Sequence, residues 1–247
     1  MSPPRWVAYA SAPARLRLRL FVFPHAGAGA ASYRAWAGAL PPDVQLALVQ
    51  LPGREARLAE PPFRRMHDLV DALVPALRPH LDAPFAFFGH SMGAHVAFEA
   101  ARALRAEGHE PMHLVVSGNR APHLPFPRPR IHHLPEERIL AEFQRLGGTP
   151  PEILADVQLM TLLLPVLRAD LELCETYVAE PGASLTCPVT AFGGTRDPDV
   201  PPAALDAWRE CTTGPFARHL FQGTHFFLQE ERPRVLAALA GALRGHP

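Results

Sequence analysis

Short apolar, β-prone runs alternate with longer helical patterns along this chain of 247 residues, and that alternation constrains its fold more than any other feature. The runs are "LRLRLFVF" (Leu16–Phe23), "VQLALVQL" (Val44–Leu51), "PFAFFG" (Pro84–Gly89), "HLVVSG" (His113–Gly118), "VTAFGG" (Val189–Gly194) and "ARHLFQ" (Ala217–Gln222). Helical patterns fall at roughly 32–40, 64–82, 91–107, 201–212 and 230–245. Strands apolar along their whole length, separated by helices, predict an α/β domain whose mostly parallel sheet is covered on both faces. No internal repeat or flexible Gly/Ser linker divides the chain, so one domain is expected over residues 1–247. The alternation fails only over 121–185, where a proline-rich entry, "APHLPFPRPRIHHLP", leads into helical patterns without a convincing strand. A helical insertion between two strands is a natural lid over an active site; the bland alternative is a subdomain that only completes the core.

Composition removes several classes of chemistry. All 24 basic residues are arginine, so Schiff bases, a P-loop lysine and Ser-Lys dyads are excluded. A formal net charge of zero gives no reason to expect nucleic acid or a membrane surface as partner. Cys174, Cys187 and Cys211 are too scattered for a disulfide framework or a zinc site. The first apolar run is interrupted by arginines and too short for a secretory signal, and no run reaches the ~20 residues of a membrane helix. A cytoplasmic setting is therefore expected.

The third apolar run ends in "GHSMG", which fits G-x-S-x-G with a strand before it and a helical pattern after it. A serine at a tight strand-to-helix turn is held exposed as a nucleophile, and the helix N-terminus offers amides to a developing oxyanion. Ser91 is accordingly the candidate nucleophile. In such an arrangement the acid and then the histidine follow the serine along the chain. His225, in "FQGTHFFLQE", lies just past the last strand, whereas His219 is inside a strand-like run and His246 is near the C-terminus. "GGTRDPDV" offers Asp197 and Asp199, of which Asp197 is nearer the strand end and preferred.

The second oxyanion donor should come from the loop after an early strand, and "FVFPHAGAGAAS" has the small residues for it. The backbone amides of Ala26 and Met92 are the candidates. A phosphate-binding glycine loop is a weak reading, since "GAG" lacks the full G-x-G-x-x-G spacing and the chain has no P-loop lysine. His132–His133 has no metal-binding partners nearby in sequence, and His90 and His95 read as structural.

Taken together, "FPHAG" (Phe23–Gly27), "LPGREAR" (Leu51–Arg57), "GHSMGAHVAFE" (Gly89–Glu99), "GGTRDPDV" (Gly193–Val200) and "GTHFFL" (Gly223–Leu228) resemble the type II thioesterases, the stand-alone editing enzymes of polyketide and nonribosomal peptide synthesis. One departure is "AGAAS" after "HAG". The resemblance implies an α/β-hydrolase fold with a mobile helical lid over 121–185, and a Ser91–Asp197–His225 triad with Ala26 and Met92 amides as oxyanion hole. It also implies hydrolysis of acyl thioesters on the phosphopantetheine arm of an acyl or peptidyl carrier protein, with no cofactor and no metal. Carrier proteins are usually acidic, so arginines near Arg54 and Arg128 are candidate docking contacts. The rivals are a general carboxylesterase or lipase, an acyltransferase or cyclase, and a non-catalytic binding protein on a hydrolase scaffold.

Overall fold

The structure is a computed structural model that describes residues 6–148, 152 and 156–244. Thr149, Pro150, the last residue of the expected 230–245 helix and His246 lie outside the described residues. Among the described residues, strands β1 (Val7–Tyr9), β2 (Leu18–Phe23), β3 (Val44–Val49), β4 (Phe85–His90), β5 (Leu114–Ser117), β6 (Val189–Gly194) and β7 (Phe216–Phe221) form one sheet. Their order is β1-β3-β2-β4-β5-β6-β7, antiparallel only between β1 and β3. The sequence pattern did not predict β1; three residues are too few to show a period, and pairing with β3 alone makes them a strand.

Strands β2 to β6 are buried almost throughout because both of their faces are covered, whereas the edge strand β7 is mostly exposed. Phe21, Phe23, Phe85 and Phe87 pack on one face with helices α1 (Met66–Leu77) and α2 (Met92–Ala106), through Leu73, Leu77, Val96 and Leu104. Leu20, Val22, Ala86 and Phe88 pack on the other with Tyr33, Trp36, Leu236 and Leu239. In α1 the buried Met66, Leu69, Val70, Leu73, Val74 and Leu77 recur at the three-to-four spacing of one helical face.

The expected helix at 32–40 is a 3-10 helix, Ala30–Ala39, and Tyr33 and Trp36 on its inner side fill the second face. Between β5 and β6 the chain forms α3 (Glu136–Leu146) and α4 (Val157–Thr176). They share a small cluster of Ile139, Phe143, Met160, Leu167 and Leu171, which rests on Ala26. Further along the chain come α5 (Pro202–Asp206), continued by a 3-10 turn to Cys211, then α6 (Phe227–Glu230) and α7 (Arg232–Ala242).

This strand order positions the chemistry. From β2 the chain moves to β3 on one side, then crosses to β4 on the other, so β2 and β4 lie side by side where the winding reverses. A crevice opens beyond the carboxyl ends of the strands at such a point. The "FPHAGAG" loop and "GHSMG" are the two segments that leave there.

Candidate active site

Ser91 sits between the last residue of β4 and the first of α2, with φ 52° and ψ −120°. A positive φ is costly for any residue but glycine, so surrounding bonds must hold it. The Ser91 N–H donates to the Ser117 carbonyl at 2.8 Å, and its own carbonyl accepts from Asn119 Nδ2 at 2.8 Å and from the Ala94 N–H at 2.9 Å. The glycines of the motif are there for close approach. A Cβ on Gly89 would strike the Gly93 carbonyl, and one on Gly93 would strike the carbonyls of Phe23 and Pro24. The latter contact also sets the start of α2 against the start of the loop after β2. Met92 is the first residue of α2, so its N–H has no earlier helical carbonyl to bond.

His225 comes from the loop after β7, and Asp197 from the turn after β6. His225 Nε2 lies 3.0 Å from Ser91 Oγ, and Nδ1 lies 2.7 Å from Asp197 Oδ2. Both side chains are buried, at 8% and 0% exposure. Burial pushes the Asp197 carboxyl up. The His225 hydrogen bond and charge and the N–H groups of Asp199 and Val200 outweigh that and hold it below its ordinary value. Asp197 is therefore a carboxylate at neutral pH, next to the one imidazole nitrogen and opposite the other's serine. Asp199 takes a different course, its carboxylate facing Arg145 and Arg128 rather than His225.

Two further histidines pack beside His225 and Phe226. His25 Nδ1 meets the Tyr33 hydroxyl at 2.9 Å, and His90 Nδ1 meets Ser117 Oγ at 2.9 Å. Burial, then the neighbouring charge of His225, lowers His25 to about 3 and His90 well below its usual value. Both are neutral, with the Phe226 ring against them. His95 is also buried and lowered to about 4, chiefly by burial. Its Nε2–H donates to the Arg120 carbonyl at 2.9 Å, and Nδ1 faces Asn119 Nδ2 at 3.3 Å. His132 is bound to Glu175, with Nδ1 2.6 Å from Oε2. His219 lies on the exposed part of β7.

Three amides in the loop after β2 and at the start of the 3-10 helix that follows it are committed to side chains. The Gly27 N–H donates to Asp170 Oδ2 at 2.7 Å, the Ala30 N–H to Gln50 Oε1 at 3.1 Å and the Ala31 N–H to Glu55 Oε1 at 3.0 Å. Among the described residues the Ala26 N–H has no such partner. Asp170, Gln50 and Asn119 are functional neighbours that the sequence pattern did not announce. Asp170 lies within a long helical pattern, and Gln50 and Asn119 at strand ends, with no motif marking them.

The arginines expected to meet a carrier are largely spent. Arg54 and Arg57 are buried: Arg54 makes a bidentate pair with Asp170, and Arg57 donates to Glu60 and to the Gln50 carbonyl. The two arginines of "GREAR" thus turn inward, a correction to the expected docking role; their guanidiniums satisfy backbone carbonyls and the carboxylates of Asp170 and Glu60. Arg128 is drawn to Glu142 and Asp199, which leaves Arg130 as the exposed basic residue of that segment. A cavity of about 770 Å³ lies elsewhere, between α1, α2 and the end of α4, lined by residues such as Arg65, Arg102 and Tyr177 but not by Ser91. Among the described residues no group of three His, Cys, Asp or Glu side chains is placed to hold a metal ion, and all three cysteines are free. No helix among them is long and apolar enough to cross a membrane.

Comparison with known proteins adds the context. A family model described as "Thioesterase domain" matches residues 18–243. The chain resembles the solved structure of BorB, the type II thioesterase of the borrelidin biosynthetic cluster, at 38% identity and a TM-score of 0.91, over 99% of this chain and 100% of that one. RedJ, a thioesterase of the prodiginine pathway in Streptomyces coelicolor, is 42% identical with a TM-score of 0.88 over 95% of each chain. A Brevibacillus parabrevis protein named linear gramicidin dehydrogenase LgrE is 43% identical over 100% of this chain and 95% of its own. That name describes a dehydrogenase; in this chain the Gly27, Ala30 and Ala31 amides are taken by Asp170, Gln50 and Glu55.

Proposed function

Because the chain belongs to the thioesterase family, among the type II thioesterases of nonribosomal peptide and polyketide clusters, we propose that it hydrolyses acyl thioesters from the phosphopantetheine arm of carrier proteins, clearing stalled or aberrant acyl groups. The observation that carries the chemistry is the contact series Ser91 Oγ, His225, Asp197 at 3.0 and 2.7 Å. In this reading the Ser91 hydroxyl donates to His225 Nε2, and His225 Nδ1–H donates to the Asp197 carboxylate. The carboxylate fixes the imidazole tautomer and stabilises the imidazolium that forms when the serine proton leaves.

Ser91 Oγ then attacks the thioester carbonyl, and the tetrahedral oxyanion sits against the Met92 and Ala26 amides. Collapse expels the phosphopantetheine thiol. A thiol of ordinary pKa ~8.5 leaves as thiolate with little proton assistance, and His225 returns a proton to it. Water, deprotonated by the same histidine, attacks the acyl-serine and releases the carboxylic acid. Serine, histidine and water account for every proton and electron pair, so the cycle requires neither a metal nor a cofactor. The 121–185 insertion acts as the lid over the acyl chain, and Leu167 and Phe143 supply its apolar underside next to Ala26 and Gly27.

Turnover of acyl-carrier thioesters should be compared with that of matched oxygen esters, with Ser91→Ala as reference. The thioester is expected to be preferred, and the alanine variant to lose roughly 10⁴-fold or more in kcat. Oxygen-ester rates higher by orders of magnitude, or an active alanine variant, would overturn the reading.

A further inference from the structure

The polar contacts of Asp170 have no role in the steps above. Asp170 lies in the middle of α4, buried at 2% exposure, and faces two loops at once. Its Oδ2 accepts from the Gly27 N–H and from Arg54 Nη1, each at 2.7 Å, and Oδ1 accepts from Arg54 Nη2 at 2.8 Å. Arg54 Nη1 also donates to the Ala28 carbonyl at 3.2 Å. The carboxylate therefore holds an N–H of the oxyanion loop, and its guanidinium partner holds a carbonyl one residue further on. Arg54 is itself anchored: its Nε donates to the Pro52 carbonyl at 3.2 Å, and its own carbonyl accepts from Gln50 Nε2 at 3.0 Å.

A buried ion pair is seldom the most stable way to fill a core, because desolvation offsets its attraction; its distinctive product is orientation. Here the orientation falls on one peptide plane. The Gly27 N–H belongs to the peptide that joins Ala26 to Gly27, and a peptide is planar. Fixing that plane, together with the Ala28 N–H to His25 carbonyl bond at 3.1 Å, leaves the Ala26 N–H one direction in which to point. Gly27 is at φ +77°, and a Cβ there would collide with Leu167 of the same helix, so α4 sits directly on this turn.

We propose that Asp170, acting through Arg54 and the Gly27 amide, is a positioning residue for the oxyanion hole, so that the Ala26 donor is correctly aimed only while α4 is seated. Lid and catalysis are then one assembly: lifting α4 removes the carboxylate and releases the loop. This rests on the reading of Ser91 as nucleophile and of Ala26 as oxyanion donor.

The test uses Asp170→Asn and Arg54→Lys in the full chain, each checked for folding by circular dichroism and thermal melting. The first removes the charge, and the second keeps a charge but loses the fork. Glu172→Gln, which removes a surface pair with Arg64 on the same helix, is the control. Steady-state kinetics on an acyl thioester is paired with the affinity of an alkyl boronic acid, whose adduct on Ser91 is tetrahedral and anionic. For Asp170→Asn, kcat is expected to fall about 100-fold with KM within about threefold, as for the loss of one oxyanion donor. Boronate affinity should weaken in parallel, with Arg54→Lys showing a smaller loss of the same kind and the control staying within about twofold. If Asp170→Asn does not fold, Arg54→Lys alone must show the split.

A folded variant that keeps kcat within about threefold, or loses kcat while binding boronate as the parent does, overturns the proposal. So does a loss confined to KM. An active Ser91→Ala would instead overturn the functional reading itself, so the two failures are separable.

Discussion

The nucleophile turn and the helical insertion meet over the same crevice but are held by opposite means. Around Ser91 the contacts are backbone against backbone: glycines abut carbonyls, and Ser91 bonds β5 directly. Beneath it lies an extensive apolar cluster. The insertion reaches that cluster through Ala121, Leu173 and Leu185, has one small apolar cluster of its own, and is further tied down by charge. Asp170 grips Arg54, the Glu175 carboxylate accepts from the Ile131 and His132 amides at 3.0 Å, and Asp199 reaches Arg145 across to α3. Dense packing is not continuously deformable, whereas a handful of polar ties has discrete tied and untied states. The turn is held by packing, and the seat of the insertion over it by polar ties as well.

Acid should break the turn's half first. His25, at about 3, His95, at about 4, and His90 are all held neutral there, while the unfolded chain takes up these protons near pH 6.5. The unfolded state binds more protons below that pH, so stability is full above it and declines as pH falls toward the folded values. His25 and His95 together give up to about 3 kcal/mol per pH unit between roughly pH 6 and 5, and His90 adds in the same direction. Urea denaturation at half-unit steps checks this, and His95→Gln should reduce the slope by about a third. A stability that stays flat down to pH 5 would show that these rings are charged in the fold.

Core truncation is the next largest effect. Leu73→Ala, in α1 under the sheet, should cost about 3 kcal/mol or more by urea denaturation at pH 7. Leu167→Ala, in the insertion, should cost less than about 1 kcal/mol globally while protease cleavage within 121–185 becomes faster. Equal costs at the two sites would mean that the insertion unfolds with the sheet, and the contrast between the regions would disappear.

The smallest effect should come from the half-exposed ties. Arg145→Ala should change global stability by no more than about 0.5 kcal/mol, as surface pairs usually do. Amide exchange in α3 should nevertheless quicken. A cost above about 1.5 kcal/mol would place Arg145 among the structural elements of the fold.

What the sequence discloses divides along the same line. Runs such as "VTAFGG" mark strands because burial on both faces writes itself into consecutive apolar residues, and "GHSMG" marks a turn because only glycine tolerates those backbone contacts. Ser91, Asp197 and His225 are nameable because each follows the end of a strand, and these are the side chains the structure brings into contact. Asp170 is silent in the sequence, since an acid within "LRADLELCET" looks like any solvated helix position. Its meaning depends on Arg54, more than a hundred residues away, and only the tertiary fold reveals it. Arg54 misleads in the opposite sense, a surface-type residue that turns out to be buried.

The sheet order has a consequence for how such a protein can change. The groups around Ser91 arise at the ends of β2, β4, β5, β6 and β7, while the insertion leaves and rejoins the chain between β5 and β6. Both ends of that excursion are pinned to adjacent, hydrogen-bonded strands, so its length and sequence can vary without shifting the nucleophile. The hydrolytic unit behaves as a socket and the 121–185 segment as an exchangeable fitting. A transplanted fitting would have to bring one acid in register with Gly27 and Arg54, and could differ almost everywhere else.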